Sequence, residues 1–175
     1  AATVSQVFMG VRIECAQCHH HPFDQWSQRD YYGMEAFFTQ VNFKSTPVGQ
    51  VLITNKKSTT KHPRAGDVVQ AHALLQAEPA ETPEGDRRRV FADWLTADDN
   101  RWFARNIVNR VWAQLMGRGL VTPVDDFRVT NPPTNPVLLD ALAKSFVESE
   151  FDLHELIQTI TSSRTYQLVT TPSEM

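Results

Sequence analysis

The sequence predicts a mainly α protein, a helical two-lobe arrangement with one small β hairpin between the lobes. Three observations carry that expectation. Apolar residues recur at helical spacing near the start and through most of the second half. Only residues 48–75 hold a stretch with the β-branched alternation of a strand. The polar, proline-bearing "QAEPAETPEGD" divides the two halves as a linker would. The expected segments are 1–43, 44–80 and 81–175.

The elements follow in order. "ATVSQVFMGVRI" places Val4, Phe8 and Val11 on one face of a short helix that leads into two cysteines. Ser27 is suited to cap the next helix, with Asp30 three residues on as its acidic partner. Tyr31, Met34, Phe37 and Phe38 give that helix an apolar face, and Gly33 weakens it by about 1 kcal/mol relative to alanine. "VGQVLITNKKS" reads as a strand with a turn at Asn55 to Lys57, and "HPRAGDVVQAHALL" as its short partner. Thr82 in N-cap position and Pro83 at the first helical position open the second half. Phe103, Ile107, Val111 and Leu115, with Val108 and Trp112 beside them, recur along the next helix, which Gly117 and Gly119 stop. "VTPVDDFRVTNPPTNP" is too rich in proline for regular structure. Asn135-Pro136 and Asp152 then start the last two helices.

Composition narrows the function. With 17 basic and 20 acidic residues in 175, nothing electrostatic points to a nucleic-acid partner. No apolar run approaches the ~20 residues that span a bilayer. The chain opens without Met in a helical pattern and stops at "TTPSEM", which reads as a fragment or processed product.

The chemistry concentrates in "ECAQCHHHPFDQW", which holds both cysteines. In a C-x-x-C-H, two thiols add across the vinyl groups of haem and the histidine binds iron beneath it. Cys15 and Cys18 fit as tethers and His19 as the proximal ligand. Two other chemistries share these residues. Zinc would take the cysteines with two of His19, His20 and His21. A C-x-x-C pair also forms redox or structural disulfides. His20 and His21 read as loop histidines, or as ligands to a neighbouring haem or second metal. For the far side of the iron the candidates are Met34, His62 and His72, or an open position. Trp26, Tyr31 and Phe37 are candidates to pack around the porphyrin.

A second polar set is Asp93, Arg105, Asn109, Arg110, Arg118, Asp125, Asp126, Arg128 and Arg164. It reads as a network tying loops to helices, with a catalytic or anion-binding pocket as the rival. "VDDFR" also offers oxygens to calcium, though without a glycine-bearing ligand loop.

Two long stretches carry a resemblance. "VFMGVRIECAQCHHHPFDQWSQRDYYGMEAFF" resembles the closing part of the planctomycete cytochrome-c-like domain. The phrases "FAR-x-x-VNR-x-W", "GRGLV-x-PVDDFR" and "NPP-x-NP" resemble the opening of the planctomycete-specific domain of unknown function that follows it in large secreted proteins. The resemblance implies haem c held by Cys15, Cys18 and His19, and a periplasmic or extracellular location. It implies a piece of a longer exported protein or assembly, with a redox partner protein or neighbouring haem domain. Electron transfer is the function expected. The alternatives are a non-redox structural or interaction module and a haem enzyme such as a peroxidase.

Overall fold

The fold is mainly α, as the sequence predicts. The computed structural model describes residues 1–55, 59–76, 80 and 85–168. Two compact units divide the chain. The first comprises Ala1–Gln6 and Arg12–Asn100, the second Val7–Val11 and Arg101–Met175.

The opening helix is shorter than expected. It consists of α1 (Ala2–Val4) and a π-helical turn over Ser5–Met9. Gly10, at φ 69°, then redirects the chain. The wide turn breaks the 3.6-residue period, so the buried set switches to alternate residues. Met9, Val11 and Ile13 are fully buried, while Phe8 is exposed.

In the first unit, α2 (Gln28–Ala36) starts with the predicted cap. The Asp30 N–H donates to Ser27 Oγ, and the Ser27 N–H donates to Asp30 Oδ2 at 2.7 Å. Gly33 is there for space. The His72 imidazole lies against it, and a Cβ at this position would collide with the ring. Gly33→Ala should therefore cost about 1–3 kcal/mol through overpacking, outweighing the helix propensity gained. A thermal melt checks this, and a melting temperature at or above that of the native chain would sink it.

The strands differ from expectation. β1 (Val41–Thr46) pairs antiparallel with β2 (Gly49–Thr54), from Val41↔Thr54 to Thr46↔Gly49. Thus "GQVLIT" pairs upstream across Pro47-Val48 rather than downstream, because a two-residue loop closes at less entropic cost than a long one. The downstream segment forms its own small ladder, β3 (Thr60–Lys61) with β4 (Val68–Val69). Lys56 and Lys57 of the expected turn lie outside the described residues.

The helix α3 (Arg87–Leu95) is capped by Asp86, whose carboxylate accepts from the Arg88 N–H. Thr82 and Pro83 lie outside the described residues. The Arg88 guanidinium lowers the Asp86 carboxyl to about 2, so the cap stays ionised until pH falls from its ordinary 3.8 toward that value. Gln40 ties the start of α3 to the end of α2. Its Oε1 accepts from the Arg87 N–H and its Nε2 donates to the Gly85 carbonyl. Phe91 packs tilted against Phe37 and edge-on against Phe38, with centroids 5.6 and 5.3 Å away.

The second unit holds α4 (Phe103–Met116), α5 (Pro136–Glu148) and α6 (Leu153–Thr161). Gly117 ends α4, and Asn135 and Asp152 cap the two later helices as predicted. The most buried positions on α4 include Asn106 and Asn109, at 0% exposure. The predicted face of Phe103, Ile107, Val111 and Leu115 is only half-buried. Val7–Val11 completes this unit. Asn106 Nδ2 donates to the Val7 carbonyl at 2.7 Å, and the Phe127 N–H donates to the Gly10 carbonyl at 2.8 Å. Among the described residues no helix is long and apolar enough to cross a membrane.

Candidate functional site

Cys15 lies in a short helical turn, and Cys18 and His19 follow at its end. A 3-10 turn spans Glu14–Gln17, and the N–H groups of Cys18 and His19 both donate to the Cys15 carbonyl at 3.4 Å. In a 3-10 turn side chains three apart eclipse, which suits Cys15 and Cys18 to one side. Both thiols are free and exposed, while Ala16 beneath them is buried and anchors the turn.

The turn is held by α2. Gln28 Nε2 and Tyr32 Oη, one helical turn apart, both donate to the Gln17 carbonyl at 3.1 Å. Gln17 lies between the two cysteines, so this shared bond fixes the loop that spaces the thiols. Burial pushes the Tyr32 phenol up, and Glu35 and Cys18 add to the shift, so the hydroxyl keeps the proton it donates. The sequence reading missed Gln28 and Tyr32. Their i, i+4 spacing on the helix after the motif is the only signal that could have found them.

The histidines differ in which nitrogen is occupied. His19 Nδ1 lies 2.6 Å from the His20 carbonyl. A carbonyl only accepts, so Nδ1 carries the proton and Nε2 presents a bare lone pair. His21 is the reverse. Its Nδ1 accepts from the Phe23 N–H at 3.2 Å, which puts the ring proton on Nε2. His21 closes its loop through its own N–H, which donates to the Trp26 carbonyl. His20 is exposed.

The candidates for the far side of iron are engaged elsewhere. Met34 is fully buried on α2. His62 Nδ1 accepts from the N–H groups of Arg64 and Ala65. His72 packs on Gly33, with Nδ1 at the Gln70 carbonyl and Nε2 3.9 Å from Asp30 Oδ1. Trp26, Tyr31 and Phe37 are core residues of the first unit, and Tyr32 donates to the Gln17 carbonyl inside the motif. Among the described residues no three His, Cys, Asp or Glu side chains are grouped as a metal site. A zinc centre here would need the loop to rearrange.

The second polar set does not converge. Asn109 Nδ2 donates to the Val121 carbonyl, and the Val121 N–H donates back to Oδ1, both at 2.9 Å. Arg105 pairs with Asp140, Asp126 with Arg128, and Arg110 Nε donates to Asn106. Arg105 and Asn109 share a side of α4 but serve different partners. Asp93, Arg118 and Arg164 are exposed. The arrangement is a set of separate ties between helices and loops. Asn106, which the sequence reading passed over, is one of its centres.

Comparison with known families agrees with these two regions. A family described as "PSD1: Protein of unknown function (DUF1553)" matches residues 87–175, just over half of the chain, and the chain belongs to that family. A second, "PSCyt2: Protein of unknown function (DUF1549)", matches residues 1–43 and so contains the cysteine turn. The two are the planctomycete-associated pair of domains. No curated protein and no solved structure matches the chain.

Proposed function

We propose that this chain is an electron-transfer module that carries one c-type haem at Cys15, Cys18 and His19. The observation that supports it most is the turn itself. Two exposed thiols and a histidine with a bare Nε2 lie within five residues, and the His20 carbonyl holds the ring through its other nitrogen. Iron-binding histidines commonly donate their second N–H to such an acceptor. Cys15 and Cys18 would tether the porphyrin and His19 Nε2 would hold the iron. Bound there, haem supplies one-electron redox chemistry. The reading carries an exported location, since covalent haem attachment occurs outside the cytoplasm. It also requires a redox partner or neighbouring haem domain within a larger polypeptide or assembly.

A second reading has an observation in its favour. The aromatic residues of the first unit are already packed against protein, as in a structural module whose dithiol binds zinc or closes a disulfide. Expression in a host that matures c-type haem separates the two. Denaturing mass spectrometry should show the chain heavier by one haem, with a sharp Soret band. An unmodified mass rejects the electron-transfer reading, and a colourless zinc-bearing protein establishes the second.

A further inference from the structure

We infer that the β1–β2 ribbon is an interface between two copies of this chain, joined edge to edge through β2. All six residues of β2 are exposed, and so is most of β1. Phe43 is 71% exposed, Leu52 53%, Val51 41% and Ile53 40%, so each face of the ribbon holds exposed apolar side chains, with Lys44 and Asn42 beside Val51 and Ile53. Two strands alone are marginal in water, and a third strand or a packed face is what stabilises them. The two edges are not alike. β1 carries Lys44, a residue that discourages pairing at an edge. β2 has no charge and no proline, and its six-pair register is unbroken by a bulge.

The hydrogen-bond phase shows which groups the free edge presents. Thr46 and Gly49 close the two-residue loop, and the Asn55 N–H donates to the Gln40 carbonyl at the far end. Both ends set the same alternation, so Lys44↔Val51 and Asn42↔Ile53 exchange the inner bonds. Gln50, Leu52 and Thr54 therefore aim their backbone N–H and C=O groups outward.

This edge is complementary to itself. Gln50-Val51-Leu52-Ile53-Thr54 reads polar, β-branched, leucine, β-branched, polar in either direction. An antiparallel pairing about a two-fold axis at Leu52 sets Leu52 opposite Leu52 of the second copy. Val51 of each copy then faces Ile53 of the other. One face gathers both Leu52 side chains with both Phe43 rings, and the other gathers four β-branched side chains. The two Lys44 residues stand on the outer strands, about 14 Å apart at three strand spacings. That exceeds the Debye length at physiological salt, so like charges do not oppose the pairing. A single strand pair is smaller than a standard interface, so the association is weak and dependent on concentration.

Sedimentation velocity of the 175-residue chain, from low micromolar to near-millimolar concentration, should show mass rising from 19.9 kDa toward twice that value. Leu52→Lys or Leu52→Glu alone places like charges face to face and should weaken association at least about tenfold. An equimolar mixture of the two variants should restore it, because only this register sets residue 52 against itself. Circular dichroism matching the native spectrum checks that the variants fold. Independently of any variant, the Leu52 and Thr54 amides of the native chain should gain protection from hydrogen exchange as concentration rises. A native chain that stays monomeric overturns the inference, including one that is monomeric yet sediments with anionic vesicles. So do variants that still dimerise, or a mixture that fails to pair.

Discussion

Asn109→Ala should lower the melting temperature of the second unit by roughly 10 °C or more. Asn109 is fully buried, and its amide exchanges two bonds with the Val121 backbone at 2.9 Å. Alanine would leave the Val121 N–H and carbonyl without partners at a residue that is 1% exposed. Each orphaned group costs about 1–3 kcal/mol. Asn109→Asp should also destabilise, since a carboxylate cannot donate to the Val121 carbonyl. Arg110→Ala should cost less, because Arg110 is not itself buried and its Nε bond to Asn106 Oδ1 is only part-buried. Differential scanning calorimetry on the three variants decides the matter. If Asn109→Ala melted like the native chain but lost an assayed activity, the residue would belong to a catalytic site instead.

His19→Ala should abolish the histidine-ligated iron spectrum of the haem-loaded chain, while His20→Ala leaves it nearly intact. This contrast rests on the proposed haem function and sharpens it. The His19 ring supplies Nε2, with its Nδ1 held at the His20 carbonyl. His20 contributes its backbone carbonyl, which survives the change to alanine, so the bond that orients His19 persists. Equal loss from both changes would mean that the ligand is not His19.

The helix starts were legible because capping is local chemistry. Ser27 with Asp30, Asn135 with Pro136, and Asp152 each act within three residues, and each starts its helix as read. Gly33 was legible as a weak helix residue but not as a necessary one. Its reason is the ring of His72, which comes from a distant part of the sequence. The strand partner of "GQVLIT" was misjudged because β1, "VNFKST", lacks a buried face and so shows no apolar alternation. Asn109 was legible as one of a polar set tying loops to helices, whereas Asn106 was not, since buried asparagine has no periodic signal and its partner Val7 lies 99 residues away. The cysteine turn was visible as a motif. What the sequence left open was which histidine nitrogen carries a proton, and that depends on a carbonyl one residue away.

Val7–Val11 has a consequence for the order in which the protein takes shape. During translation this piece emerges about a hundred residues before the helix and loop that bind it, roughly 5–20 s at ordinary elongation speed. In that interval the carbonyls of Val7 and Gly10 accept from water instead of from Asn106 Nδ2 and the Phe127 N–H. The second unit is thus finished by residues made early and held in waiting. A polypeptide limited to residues 87–175 would reproduce the family span and still lack the strap that closes it.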